Sequence, residues 1–191
     1  MVPICFNKML PDSDRFLLKK IARDAIHYGL ANDTPMPLDT GCLPTSVLER
    51  QASFVTLFIA GALRGCIGSL TADYPLAEDV AKNAYAAAFR DHRFEPIAEP
   101  SVADLEIHIS VLSEPQIIPC NSEYSLLEQL HPGRDGLIIE DGQYRATFLP
   151  AVWDAIPSPE RFVHELKRKA GLDKDYWSET LLCYRYYTET F

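Results

Sequence analysis

The sequence lacks any apolar run long enough to cross a membrane, although 47% of its 191 residues are hydrophobic. A run such as Leu57 to Ala60 is far shorter than the ~20 residues that a spanning helix needs. The segment Met1 to Lys8 also lacks the charged stretch and long apolar stretch of a secretory signal. With 24% charged residues, the composition is typical of a globular protein, which we expect to reside in the cytoplasm.

Paired cysteines and clustered metal ligands are also missing. The five cysteines are Cys5, Cys42, Cys66, Cys120 and Cys183. They are scattered and odd in number, and none forms a Cys-x-x-Cys pair, which argues against a disulfide framework and against a zinc knuckle. The five histidines show no i, i+4 pairing. We therefore expect reduced thiols and no metal site. The residues do not indicate which cofactor, if any, the protein uses.

Basic residues are outnumbered by acidic ones, 18 to 27, which gives a net charge of -9. Binding to nucleic acid depends on neutralising phosphates with Lys and Arg, so this charge makes a nucleic-acid partner a poor expectation. The glycines match neither the dinucleotide fingerprint nor the P-loop, and no Gly-x-Ser-x-Gly nucleophile elbow is present. The sequence therefore argues against a dinucleotide-binding site, a P-loop phosphate site and a serine-nucleophile elbow.

Local signals predict an α+β protein. Apolar spacing indicates a first helix over Ser13 to Tyr28 that ends at Gly29, while Pro75 opens a second helix and Ser158 caps a third. Helices and hairpins do not alternate regularly, which favours a largely antiparallel sheet flanked by helices. We expect residues 1–191 to form one domain, because no linker is visible. The other predicted elements are a short helix at Tyr124 to Leu130, the strand Leu105 to Leu112, a hairpin around Asp141-Gly142 and a last strand at Leu181 to Tyr187.

The most informative stretch is Leu63 to Leu70, which sets one arginine and one cysteine among glycines. Phe54 to Ala60 is strand-like, and Gly61-Ala62 suits the centre of a type II′ turn, so the stretch is predicted to be the returning strand of a hairpin. Alternation then predicts that one face of this strand carries Arg64, Cys66 and Gly68.

That placement suggests thiol chemistry. A guanidinium beside a thiol favours the reactive thiolate, so Arg64 could activate Cys66, with Leu63 and Ile67 anchoring the opposite face. Flanking glycines leave room for a ligand to approach the backbone. The residues alone leave a second interpretation open, because free cysteine is often buried and behaves as a small hydrophobic residue.

The hexapeptide Leu63-Arg64-Gly65-Cys66-Ile67-Gly68 resembles the signature of the AMMECR-one family, whose bacterial and archaeal members are called AmmeMemoRadiSam system protein A. Similarity covers the chain from about Ser13 to the C-terminus. The other matching blocks, in order, are Phe54-Val55-Thr56-Leu57, Asn83, Ala87-Ala88-Phe89, Asp91-x-Arg93-Phe94, Leu105 to Leu112, Ala146 to Pro150 with Val152-Trp153, Lys169 to Leu172, and Trp177.

The resemblance implies an α+β fold with a main antiparallel sheet, a smaller subdomain and a cleft beside the strand Leu63 to Leu70. It also implies association with a Memo-like protein and a radical S-adenosylmethionine protein, but no settled reaction. The resemblance implies a functional role for Asp91 and Arg93. Their residue types alone are equally consistent with a simple ion pair at the surface. His92 departs from the family pattern and is either a base for Cys66 or an exposed loop residue.

Two functions follow as hypotheses. In the first, the protein is an enzyme or enzyme component with Cys66 as nucleophile or covalent carrier, while Arg64 stabilises the thiolate or an anionic substrate. The expected substrate-binding residues are Gly65, Gly68, Asp91 and Arg93. In the second, the same cleft is a non-catalytic module that binds a small molecule or a partner protein, and Cys66 serves only to pack.

Overall fold

The computed structural model of the chain describes residues 9–99 and 102–191. Its helices are α1 (Asp12–Asn32), α2 (Thr45–Leu48), α3 (Leu76–Phe89), α4 (Glu123–Leu127) and α5 (Pro159–Ala170), with a 3-10 helix at Pro150–Asp154. Its strands are β1 (Ser53–Ile59), β2 (Ala62–Gly68), β3 (Leu105–Leu112), β4 (Gln116–Ile117), β5 (Gly136–Asp141), β6 (Tyr144–Phe148), β7 (Leu182–Tyr186) and β8 (Thr188–Thr190). The segment Met1 to Lys8, for which the sequence predicts no secretory signal, lies outside the described residues.

The strands form two four-stranded sheets, ordered β2-β1-β3-β8 and β4-β7-β5-β6. The registers that the structure gives are antiparallel in both sheets, so the predicted α+β class is confirmed. The chain divides into two compact units, each with its own sheet and apolar core. The first unit comprises the described residues up to Leu112 together with Glu189–Phe191, and the second comprises Ser113–Thr188.

Helix α1 continues beyond the predicted end at Gly29. This glycine is buried inside the helix, where an added Cβ would lie 2.6 Å from the ring of Phe89 and 2.7 Å from that of Tyr85. The helix ends instead at Asp33, which takes the left-handed conformation with φ 52°. The predicted stop at Gly29 was therefore wrong, because the glycine lets α1 and the aromatic rings of α3 pack closely and does not cap the helix.

The turn between β1 and β2 differs by one residue from the prediction. Ala60 and Gly61 both have positive φ, 49° and 75°, which is the pattern of a type I′ turn. Ile59 pairs with Ala62 across this turn, so Ala62 belongs to the strand. The predicted type II′ turn at Gly61-Ala62 was wrong, because the local twist of the hairpin overrides the preference of alanine for negative φ.

A shift of register interrupts the regular alternation of β2 at Arg64. Gly65 pairs with Leu57 and Leu63 pairs with Phe58, so Arg64 is left without a partner in β1, as in a β-bulge. Regular alternation is broken at that point, and Leu63 lies on the same face as Phe58. The expected place of Leu63 on the face opposite Cys66 was therefore wrong, because the bulge brings Leu63 to the side of Phe58; the place of Arg64 beside Cys66 stays a prediction.

Helix α3 fixes the far end of the hairpin through a buried polar network. The Asp79 carboxylate accepts hydrogen bonds from the Ser53 amide at 2.8 Å, from the Ser53 hydroxyl at 2.7 Å and from the Ser69 hydroxyl at 2.7 Å. The Asn83 amide donates to the same carboxylate at 2.8 Å and to the Ser53 carbonyl at 3.0 Å. Burial raises the pKa of Asp79, whereas these hydroxyl and amide donors lower it.

The second unit follows the sequence signals closely. Its β5–β6 hairpin encloses Asp141-Gly142 as predicted, with Gly142 at φ 59°. Ser158 caps α5 by accepting a hydrogen bond from the Arg161 amide, and Gly171 ends it in the left-handed conformation. In the core of the unit the rings of Trp153 and Phe162 stack at 3.6 Å.

Strand β2 touches α3 through Gly65, where an added Cβ would lie 2.0 Å from the Ala87 carbonyl oxygen. We expect Gly65→Ala to lower the free energy of unfolding by about 3 kcal/mol, because a helix backbone cannot move aside for the methyl group. Urea unfolding measures the change. Gly68→Ala is the matched control, since its methyl group would meet the Phe54 ring, which can rotate, and should cost less. Equal stability of Gly65→Ala and the native protein would contradict the contact.

Candidate functional site

Cys66 lies on the face of the first sheet that points away from the helices. The opposite face is formed by buried residues such as Val55, Leu57 and Ile107, which pack in the core with α1 and α3. Thr56 alternates with those β1 residues and pairs with Cys66 on one side and with His108 of β3 on the other. Cys66, Thr56 and His108 therefore form one row across three strands of this outer face.

A hydroxyl group is directed at the sulfur of Cys66. Thr56 Oγ1 donates to Cys66 Sγ at 3.3 Å, and both side chains are half-buried. Phe54 and Phe58 flank Thr56 on the same face of β1, and the Phe58 ring lies 5.2 Å from the ring of His108. The thiol thus sits beside an aromatic surface and receives a hydrogen bond that a thiolate would accept more strongly.

Asp91 and Arg93 bind the backbone of Cys66. Strand β2 is an edge strand, so the outward N–H and C=O of Cys66 have no neighbouring strand to pair with. Asp91 Oδ2 accepts from the Cys66 amide at 2.9 Å, and Arg93 Nη2 donates to the Cys66 carbonyl at 3.2 Å. The two side chains therefore take the place of a further strand at this residue.

The same two side chains form a bidentate ion pair. Arg93 Nε donates to Asp91 Oδ1 at 2.9 Å, and Nη2 donates to Oδ2 at 2.7 Å. The Asp91 carboxylate is only 4% exposed, whereas the Arg93 guanidinium is 58% exposed. The pair is thus anchored at its acidic end, which distinguishes it from an ordinary surface salt bridge.

The ion pair shifts the pKa of both Asp91 and Arg93. Hydrogen bonds from Arg93, and then from the Cys66 amide, hold the pKa of Asp91 far below its ordinary value of 3.8, against the opposing effect of burial. Asp91 in turn raises the pKa of Arg93, and the charge and hydrogen bonding of the Cys66 side chain add to that rise. Arg93 is therefore bound both to the Asp91 carboxylate and to the Cys66 backbone.

Arg64 is placed differently from the other predicted site residues. It occupies the unpaired position of the bulge in β2, and its Nε is buried. Within the described part of the chain this Nε has no hydrogen-bond partner. The structure thus brings together Cys66, Asp91 and Arg93, while Arg64 makes no contact with them that the structure records.

The two predicted substrate-binding glycines each face a neighbouring group. Gly65 admits the Ala87 carbonyl of α3, and Gly68 lies under the Phe54 ring, which is 2.2 Å from the position of an added Cβ. Both glycines are therefore required for packing. Their role in substrate binding stays a prediction, as does the cleft expected beside the strand.

His92 follows Asp91 and is exposed. Among residues 9–99 and 102–191, no cluster of three or more His, Cys, Asp or Glu side chains could hold a metal ion. In the same ranges no helix has the length and apolar character needed to cross a membrane.

Thr56 is the site residue that the sequence interpretation missed. Its signal was present in the alternation Phe54-x-Thr56-x-Phe58, which sets one hydroxyl between two aromatic side chains on a single face. Pairing Thr56 with Cys66 also requires the register of the hairpin, and the predicted turn was one residue out.

We expect Asp91→Asn to lower the free energy of unfolding at pH 7 by about 1.5–3 kcal/mol, because it weakens hydrogen bonds that involve a charged group. The folded-state pKa of Asp91 is lowered, so its contribution is complete above pH 3.8 and is lost as the pH falls toward the folded-state value. Unfolding measured from pH 7 to pH 2 should therefore show the variant and the native protein converging below pH 3.8. Asp104→Asn, at an exposed carboxylate, is the control. A difference that persists unchanged to pH 2 would contradict the ion pair as its cause.

Comparison with known proteins identifies the chain's relatives. A family model described as AMMECR1 matches residues 19–191. A protein of Sulfolobus acidocaldarius is 38% identical over 186 residues, which cover 91% of this chain and 78% of that protein. Protein PH0010 of Pyrococcus horikoshii is 36% identical over 187 residues, which cover 91% of this chain and 87% of that protein. The crystal structure of uncharacterized protein PH0010 matches with a TM-score of 0.85 at 32% identity and covers 95% of this chain and 92% of its own. The predicted resemblance is confirmed, and the chain belongs to the AMMECR1 family.

Proposed function

We propose that the protein is an enzyme, or a component of one, in which the Cys66 thiol acts as a nucleophile or a transient covalent carrier. The observation that carries this proposal is the environment of the sulfur. It accepts a hydrogen bond from Thr56 Oγ1 at 3.3 Å, and the Arg93 guanidinium binds the carbonyl of the same residue at 3.2 Å. A hydrogen-bond donor and a cation both stabilise a thiolate, which is the reactive form of cysteine.

Arg93 also retains donors for a substrate. Of the five N–H groups of a guanidinium, one on Nε and two on Nη2 are used by Asp91 and the Cys66 carbonyl. The two on Nη1 have no partner among the described residues, and the side chain is 58% exposed. An anionic group of a substrate could therefore bind Arg93 while Asp91 keeps the guanidinium in place beside the sulfur.

Arg64, which lies in the same strand as Cys66, supplies a second cation. Its buried Nε lacks a partner within the described ranges, and a buried donor without a partner is unfavourable. Binding of an acceptor, such as a substrate carboxylate or phosphate, would relieve that cost. This role for Arg64 agrees with a substrate that carries negative charge close to the bond that the thiol attacks.

A non-catalytic binding module is the alternative, and one observation favours it. Gly65, Gly68 and the backbone of Cys66 all have packing partners in the folded protein, which accounts for much of the signature hexapeptide without any reaction. In that case the outer face around Thr56 would hold a small molecule or a partner protein. The Cys66 side chain would then contribute only contact area.

The proposal extends to partners and location. A thiol that carries a group must be loaded by one reaction and unloaded by another, which requires further proteins. Association with a Memo-like protein and a radical S-adenosylmethionine protein, as the family resemblance implies, would supply them in the cytoplasm.

Alkylation by iodoacetamide at pH 7 tests the nucleophile. We expect Cys66 to react about tenfold faster than the exposed Cys42, because a hydrogen-bond donor and a neighbouring cation favour the reactive form of the thiol. Peptide mass spectrometry gives both rates in one sample. Thr56→Val removes the donor at nearly constant volume and should lower the rate at Cys66 while leaving the rate at Cys42 unchanged. Thr71→Val, at an exposed threonine elsewhere in the chain, is the matched control.

Slow labelling would reverse the choice between the two functions. If Cys66 reacts no faster than Cys42 and Thr56→Val leaves the alkylation rate unchanged, the hypothesis that Cys66 is a nucleophile is wrong. If, in addition, folded Cys66→Ser retains a metabolite that co-purifies with the native protein, the binding module is supported.

A further inference from the structure

Two cysteines of the second unit are brought together by strand pairing. Strand β4 pairs with β7 at Ile117 and Tyr184, and the Ile118 amide donates to the Cys183 carbonyl at 2.8 Å. Cys120 follows two residues after Ile118. Both cysteines pack in the same apolar core, which includes Leu126 and Phe162.

The two thiols lie in the same apolar core and influence each other's titration. Cys183 lowers the pKa of Cys120, and Cys120 raises that of Cys183. Burial raises the pKa of both thiols and is the larger effect in each, while the buried ammonium of Lys167 acts in the opposite direction on Cys183. Cys120 is half-buried, whereas Cys183 is 1% exposed. An oxidant from solution would therefore reach Cys120 first.

We propose that Cys120 and Cys183 form an oxidative modification site, at which hydrogen peroxide converts the two thiols into a disulfide. In the first step the Cys120 sulfur attacks the peroxide, the O–O bond breaks, and sulfenic acid and water form. In the second step the Cys183 sulfur attacks that sulfenic acid, the S–OH bond breaks, and the disulfide and a second water form. Two thiols are oxidised by two electrons in total, and the hydrogen peroxide is reduced by the same two electrons.

The other described cysteines offer no comparable pair. Cys42 is exposed, and Cys66 belongs to the first unit, where its sulfur contacts Thr56 and its carbonyl contacts Arg93. The modification is thus independent of the function proposed for Cys66. Its structural effect is local, because it would link the segment that leads into α4 to the neighbouring strand β7.

That link would also tie the segment to the buried ion pair of the second unit. Glu123, in the first turn of α4, contacts the fully buried Lys167 and accepts a hydrogen bond from His164 Nε2 at 3.0 Å. Cys120 lies three residues before Glu123. A disulfide would therefore hold α4 against α5 and constrain the unfolded chain, so the oxidised protein should unfold at a higher temperature.

Peroxide treatment followed by non-reducing peptide mapping tests the site. Reduced protein is exposed to hydrogen peroxide, its remaining thiols are blocked with iodoacetamide, and the digest is analysed by mass spectrometry. We expect a linked pair of peptides containing Cys120 and Cys183, two hydrogen atoms lighter than their sum, that dithiothreitol separates. Thermal unfolding of the same sample should show the higher midpoint before reduction and the original midpoint after it.

Single variants separate the two steps. Cys183→Ala should leave Cys120 as sulfenic acid, which dimedone traps, whereas Cys120→Ser should leave Cys183 reduced. Cys42→Ser is the matched control and should form the linked peptides at the native rate. The proposal is overturned if native Cys120 passes to sulfinic acid without a link, or if Cys42 is oxidised while both thiols of the pair stay reduced. Mapping of the native protein decides the matter even where a variant does not fold.

Discussion

The close approach of β2 to α3 at Gly65 is the constraint on which the candidate site depends. With no side chain at Gly65, the Ala87 carbonyl can lie against the strand. The last residue of α3 is Phe89, so the chain leaves the helix beside the edge of the sheet and reaches Asp91 two residues later. Asp91 can then bind the outward amide of Cys66 at 2.9 Å. Packing at one glycine therefore determines which carboxylate meets the cysteine.

Two carboxylates of this region hold the second half of β2 and the residue that follows it. Asp79, near the start of α3, binds Ser53 and Ser69, while Asp91, just after α3, binds Cys66. Asp79 is 1% exposed, and its three hydrogen bonds to serine groups offset the cost of burying it. Because the helix spans the distance between the two carboxylates, the strand that carries Cys66 is fixed as a rigid element. A thiol on such a strand keeps its orientation toward Thr56 and Arg93.

Much of the fold could be predicted from local sequence patterns. The predictions that failed have a common physical cause. Alternation over Leu105 to Leu112 and the Asp-Gly turn gave the correct strands, because those signals act within a few residues. Gly29 and the β1–β2 turn were mispredicted, since an aromatic pair from another helix and the twist of the hairpin decided them. The backbone contacts of Asp91 and Arg93 depend on β2 being an edge strand, which is a property of sheet order and not of local sequence.

The signature hexapeptide separates into atoms that the fold uses and atoms that it does not. Gly65, Gly68 and the Cys66 backbone have partners within the first unit, so folding alone accounts for them. The Arg64 guanidinium is not accounted for in this way, because its buried Nε has no partner in the described part of the chain. A buried donor without a partner costs about 1–3 kcal/mol, and no packing contact at Arg64 offsets that cost as a hydrogen bond would. The sulfur of Cys66 lies on the outer face of the first sheet, where Thr56 Oγ1 donates to it and Arg93 binds the carbonyl of the same residue. Among the described residues, the Arg64 Nε is therefore the buried atom of the hexapeptide that folding leaves without a hydrogen bond.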